Sequence, residues 1–246
     1  QRGLMKLFVQ VLKQFDQPTE IVLTCNRFDL KFDPEFEAYN FLNEYLLYFP
    51  HLKQFTHPNN IDTRLGFPPA EYTETYGLYV KEVKVGSYAS GVGEIKYIPS
   101  VSAENTYDNI QADITFNPDD ISETYIHYKR EMGGYSAAAF QPYLGLLTEE
   151  RRNEIYENII FNSLSPNIEV TSQTVLGEEI NTFGKQPFTI ETKAKSGAFV
   201  DVAGNKYIFK LGELIGPQVE MYQDKNRQLP LEQDHQRTYY RTLTFT

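Results

Sequence analysis

Four histidines and one cysteine are the residues best able to move protons, attack carbonyls or ligate soft metals. His51 and His57 stand close together in a segment bounded by Pro50 and Pro58, a spacing that lets them share a site. No carboxylate falls at a spacing that would complete such a site. His127 lies in a strand-like run flanked by Tyr125 and Tyr128 and reads as a packed or surface histidine. His235 lies in a charged stretch and reads as solvated. Cys25 closes the apolar run Glu20-Ile21-Val22-Leu23-Thr24-Cys25, which suits a buried thiol acting as a small hydrophobe. A nucleophilic thiolate would want a helix N-terminus or cationic neighbours. Asn117, Asp119 and Asp120 offer oxygens to a hard cation, but they lack the alternation and distal Glu of a calcium loop and read as a turn. Arg237 and Arg241 beside Tyr239 and Tyr240 form a basic-aromatic patch that reads as cross-strand packing. Gly91-Val92-Gly93 lies between strand-like runs with no helix behind it, and reads as a turn rather than a phosphate cradle. No phosphate loop, dinucleotide fingerprint, zincin helix, serine-hydrolase elbow or C-x-x-C pair occurs. The expectation is therefore no cofactor and no metal.

The elements that must position these residues belong to a folded, acidic chain. It has 246 residues, 41% of them hydrophobic and 23% charged, with a net charge of −10. At about 150 residues per domain this is one or two domains. The negative balance argues against sequence-independent binding to nucleic acid or anionic lipid. One cysteine excludes an intramolecular disulfide and every multi-cysteine zinc site. No apolar run approaches the ~20 residues of a membrane helix. There is no Trp, but 18 Tyr and 17 Phe suggest a strand-rich, aromatic core.

Residues 1–80 read as mixed α and β. Leu4, Met5, Leu7, Phe8, Val11, Leu12 and Phe15 recur at helical spacing, predicting a helix over 3–15. A buried strand follows at 20–25, then an aromatic run at 36–49 that Pro50 ends. From about residue 81 strand-like runs dominate: 79–85, 93–98, 110–116, 124–129, 168–175, 188–192, 206–211, 218–222 and 239–245. One helix interrupts them near 148–161, with Thr148 as cap and Glu149 and Glu150 in its first turn. The fold class expected is α+β, with a β-sandwich or jelly roll over 81–246. A chain opening on Gln1-Arg2-Gly3 with an uncapped helix, and closing inside a strand, reads as a piece of a longer protein.

Residues 1–80 resemble the later half of a bacterial transglutaminase-like domain. Tyr39-Asn40 resembles that family's Phe-Asn-His, and Phe55-Thr56-His57-Pro58 its Leu-Asp-Pro-Thr. Leu65-Gly66-Phe67-Pro68-Pro69 and Tyr76-Gly77-Leu78-Tyr79-Val80 resemble its Gly-x-Leu-Pro and closing Gly-x-x-Ala-Leu. The remainder, including Leu211–Gln218, resembles the β-rich domain of unknown function that follows it in some exported bacterial proteins. The resemblance implies a partial papain-like half-domain over 1–80. It also implies an exported, periplasmic or cell-surface location. The family's histidine position reads Phe41, with Tyr39 as the alternative, and its orienting aspartate position reads Thr56. Phe cannot shuttle a proton, so the expectation is a degenerate, non-catalytic chain that binds or scaffolds, with the missing N-terminal part of the same protein as its natural partner. Protein and glycan ligands are further candidate partners, and nucleic acid is not expected. Two alternatives remain open. In one, the chain is part of an active cysteine acyltransferase or peptidase whose nucleophile lies upstream. In the other, it is a carbohydrate-binding jelly roll using tyrosines such as Tyr79, Tyr88, Tyr97 or Tyr135.

Overall fold

The computed structural model describes residues 2–161, 164, 168–216, 226–228 and 231–246. It is a mixed α+β, strand-rich chain whose sheets are antiparallel except for one edge pair. Two compact units divide it: Gln1–Asn105 with Gln233–Gln236, and Thr106–Glu232 with Arg237–Thr246. The boundary expected at residue 80 therefore falls inside a strand of the first unit.

The first unit opens with α1 (Arg2–Gln14). Met5 is buried, and Val9 and Leu12 pack against the same cluster, with Leu47 and Phe49 of the sheet. The helix ends in a paired-bond C-cap: Asp16 takes φ 51°, its N–H bonds to the Lys13 carbonyl, and Gln17 N–H reaches back to Leu12. Pro18 then prevents any continuation. The sheet consists of β1 (Glu20–Thr24), β2 (Glu44–Phe49), β3 (Gln54–Thr56), β4 (Thr75–Val85) and β5 (Tyr88–Ile98). Their order is β3-β2-β1-β4-β5. Val22, Leu46, Phe55, Tyr79 and Ile98 form its core on one face.

Two local readings change here. Residues Tyr39–Leu42 form a 3₁₀ turn, not the end of a strand, because Phe41 turns inward to stack on Phe32. Gly91-Val92-Gly93 is not a turn but the middle of β5. The chain reverses instead at Gly86-Ser87, where Gly86 takes φ +61°. Gly91 and Gly93 are in the strand for a packing reason. A Cβ on Gly93 would stand 2.8 Å from the Leu78 side chain, and one on Gly91 would stand 3.1 Å from Val80.

The second unit holds β6 (Tyr107–Phe116), β7 (Thr124–Gly133), α2 (Tyr135–Ala138), α3 (Glu149–Phe161), β8 (Glu169–Leu176), β9 (Phe188–Ser196), β10 (Val200–Ala203), β11 (Lys206–Phe209) and β12 (Arg241–Phe245). Its sheet runs β12-β6-β7-β9-β8, with β12 parallel to β6, and β10–β11 form a separate ribbon. Alternation works as expected on β6: Ile110, Ala112 and Ile114 are buried. What covers them departs from a jelly roll. The apolar sides of α2 and α3, through Ala137, Tyr156 and Ile160, fill the core that a second large sheet would otherwise supply. The strand run expected at 218–222 lies outside the described residues. No described helix is long and apolar enough to cross a membrane.

Candidate functional site

One cluster in the first unit gathers an imidazole, a carboxylate and a phenol. Antiparallel pairing of β2 with β3, with Leu47 opposite Thr56, brings the start of β2 beside the segment leaving β3. That start is Glu44-Tyr45, and the segment begins at His57. The loop after it is folded by its own polar groups. Thr63 donates its hydroxyl to the His57 carbonyl at 2.8 Å, and Asp62 N–H bonds to the Asn60 side chain at 2.9 Å. Gly66 N–H returns to the Phe55 carbonyl at 2.8 Å with Gly66 at φ +88°. A 3₁₀ turn, Ala70–Tyr72, then delivers Tyr72 to His57.

His57 is 8% exposed. Its ring lies 6.1 Å from Tyr45, nearly parallel, and 5.7 Å from Tyr72, edge to face. Asn59 donates to the Tyr45 hydroxyl at 3.2 Å. Nδ1 of His57 has no hydrogen-bond partner among the described residues. Burial lowers the His57 pKa, and the charges of Glu44 and Glu71 pull the other way. Burial, the Glu44 charge and a hydrogen bond to Glu44 together raise the Tyr72 pKa far above the ordinary phenol. The cluster thus holds a neutral, base-capable imidazole beside a neutral phenol. It can hold or accept a proton, but it contains no thiol.

The other sequence candidates fall elsewhere. His51 does not join His57: it is exposed and sits edge-on to Phe49 at 6.3 Å. Cys25 is buried with Phe32 and Phe41, and its thiol donates to the Leu30 carbonyl at 3.1 Å. Burial raises its pKa, the opposite of what a nucleophile requires. Phe41, which the sequence resemblance puts at a histidine position, is 7% exposed and stacks on Phe32 at 4.8 Å. Thr56, which the resemblance puts at an aspartate position, is half-buried on β3. His235 is half-buried rather than solvated.

In the second unit His127 is not simply packed among tyrosines. Register places Asp113 opposite it on β6, and Glu191 lies diagonally on β9. Nε2 is 2.6 Å from Glu191 and Nδ1 is 3.9 Å from Asp113. The carboxylates flank opposite nitrogens, so they do not converge on one metal position. Among the described residues no group of three His, Cys, Asp or Glu side chains forms a metal cluster. Sequence reasoning missed this row because it depends on register. The signal was present, since Asp113, His127 and Glu191 all fall on the polar phase of alternating strands.

The Asn117–Asp120 segment does turn chemistry: Asn117 Oδ1 accepts from Asp119 N–H at 3.0 Å, and Asp120 caps Ser122. The basic-aromatic patch packs as a sheet edge. Arg241 lies over the Tyr239 ring at 5.1 Å and approaches Asp108 at 3.7 Å. The four candidate tyrosines make no common platform. Within the first unit, Tyr79 is buried in the core and Tyr97 projects from the opposite sheet face. Comparison with family models, curated proteins and solved structures returns no match.

Proposed function

We propose that this chain is the non-catalytic portion of an exported bacterial transglutaminase-like protein and acts by binding or scaffolding. In that reading residues 1–80 are a partial, degenerate transglutaminase-like half-domain, followed by the β-rich domain that accompanies it. The observation that carries the reading is Phe41. It stands where the family places its proton shuttle, and its ring is sealed against Phe32 and Cys25 rather than lining a cleft. A papain-like reaction needs a thiolate, an imidazole to take and return its proton, and a group to orient that imidazole. The only thiol here is capped by a carbonyl and held protonated by burial. The only buried histidine among the described residues, His57, packs on Tyr45 and Tyr72, in a different cluster from Cys25.

The test is alkylation by iodoacetamide at neutral pH, read by intact mass, on the native chain and on chain denatured in urea. The expected result is one adduct after denaturation and none in the native state over the same interval. A parallel incubation with a fluorescent primary amine and a glutamine-containing protein should show no incorporation. Native alkylation faster than that of a free thiol, or amine incorporation, overturns the reading in favour of acyl transfer. So does a reactive thiol just upstream of Gln1 in the natural protein.

A further inference from the structure

The first unit's sheet ends on an unprotected edge. β5 is eleven residues long and no described strand pairs with its outer side. Residues 88–97 are all exposed, among them Tyr88 at 81% and Val92 at 56%. Natural edges are usually blunted by proline, a bulge, shortness or a row of lysines. β5 has no proline, and its register with β4 runs without interruption from Thr75↔Ile98 to Val85↔Tyr88. The two-residue turn makes Val85 and Tyr88 a hydrogen-bonded pair, and such pairs alternate along the ladder. The N–H and C=O groups of Ala89, Gly91, Gly93, Ile95 and Tyr97 therefore point away from β4, toward the free edge.

We propose that β5 pairs antiparallel with β5 of a second copy of this chain, about a two-fold axis at Ile95. A two-fold edge pairing is self-complementary only if each residue suits the one it meets in the copy. About Ile95 the three central pairs do, and the ladder ends beyond them, where Val92 would meet the buried Ile98 and Gly91 would meet Pro99, whose nitrogen carries no proton. Glu94 meets Lys96 of the copy, and Lys96 meets Glu94. Gly93 meets Tyr97, whose ring covers the bare glycine backbone. Ile95 meets Ile95. Glu94 and Lys96 already pair within one strand at 2.7 Å, so the dimer closes a ring of four alternating charges. Ile95, Gly93 and Tyr97 are outward-bonding residues, so the same axis aligns their N–H and C=O groups, the Tyr97 carbonyl also accepting from the Tyr79 hydroxyl at 3.3 Å. Centring on Gly93 instead opposes Val92 to Glu94 and sets the two Glu94 carboxylates diagonally, losing the charge match. The contact is short, smaller than the roughly 1,200 Å² of a stable interface, so the dimer is weak and concentration-dependent.

The experiment is sedimentation velocity on the full chain from micromolar to millimolar concentration. Wild type should show a monomer–dimer equilibrium that weakens with added salt. Lys96→Glu, which leaves four carboxylates at the seam, should raise the dimer Kd about tenfold or more. Glu94→Lys should do the same with four ammonium groups. An equimolar mixture of the two variants should form a heterodimer as strong as the wild-type dimer, because each strand then meets its opposite charge. Both positions are exposed, and unchanged far-ultraviolet circular dichroism checks the fold of each variant. A wild type that stays monomeric throughout overturns the proposal. So does a dimer that ignores both reversals, or variants that fail to complement each other.

Discussion

Phe41→Ala separates a packing residue from the remnant of a cleft. The ring is 7% exposed and shares its cluster with Phe32 and Cys25. Removing about 150 Å² of buried ring surface at roughly 25 cal/mol/Å² forfeits about 4 kcal/mol. Measured Phe→Ala substitutions in cores span about 3–5 kcal/mol. The stack on Phe32 at 4.8 Å adds a separable share, of about 0.5–1.5 kcal/mol for an aromatic pair. Urea unfolding should be followed by far-ultraviolet circular dichroism and tyrosine fluorescence, since the chain has no Trp. The chain divides into two units, so the loss belongs to the transition of the first. A Phe41→Leu, Phe32→Leu double-mutant cycle isolates the stacking share. Phe41→His tests the chemistry directly: it puts the residue type of the proposed family inside an apolar cluster, and it should destabilise without making Cys25 alkylate. A loss below about 1 kcal/mol for Phe41→Ala would mean the ring lines an open surface. A native thiol that becomes reactive in Phe41→His would show a latent site, and either result refutes the reasoning.

Two further outcomes follow from buried polar groups. The His57 pKa lies below its ordinary 6.5, with burial the leading cause. In the interval below that value the unfolded chain binds a proton the folded chain refuses, so stability falls as pH drops through it. His57→Gln should flatten this dependence, read as the difference in urea midpoint between about pH 7.5 and about pH 5.5, and equal slopes in both proteins would sink the idea. Asp108 receives a two-pronged bond from Arg130, at 2.8 Å on each oxygen, and also meets Arg241. With side chains 13% and 18% exposed, Asp108→Ala should cost about 3–5 kcal/mol, and less than about 1 kcal/mol in a thermal or urea melt would show that water already screens the pair.

What could be read from the sequence was whatever local chemistry decides. The α1 periodicity, the Thr148 cap before two glutamates, and the β-branched run of β1 each predict their element within a residue or two. The misread element is β5. Glycine marks a turn through its positive φ, but it also marks a strand where a neighbour needs the room of a Cβ. Gly86 is the first kind and Gly91 and Gly93 are the second, and only the β4 partners Leu78 and Val80 tell them apart. The aromatic stretch at 36–49 is a strand only in its second half, β2, for a similar reason. Phe41 looks like a strand residue until Phe32, which lies outside that stretch, supplies a stacking partner that favours a turn. The His57 cluster needs the β2–β3 register and a 3₁₀ turn fifteen residues on, and no spacing rule encodes that juxtaposition.

A catalytic site keeps reactive groups preorganised but unspent, and by that standard most of this chain's chemistry is already committed. The Cys25 thiol bonds to a carbonyl, the His127 imidazole is shared between two carboxylates, and Arg130 is closed on Asp108. Unspent bonding capacity remains at the His57 Nδ1 and in the backbone of β5, where alternate N–H and C=O groups face outward along an exposed strand. Backbone edges form no covalent intermediate, but they recognise another strand through many weak, geometrically fixed bonds. The two ideas are independently testable. Charge reversal at Glu94 or Lys96 should weaken self-association about tenfold or more while leaving Cys25 as inert as before. A protein that alkylates natively yet dimerises through β5 would keep the edge pairing and discard the non-catalytic reading.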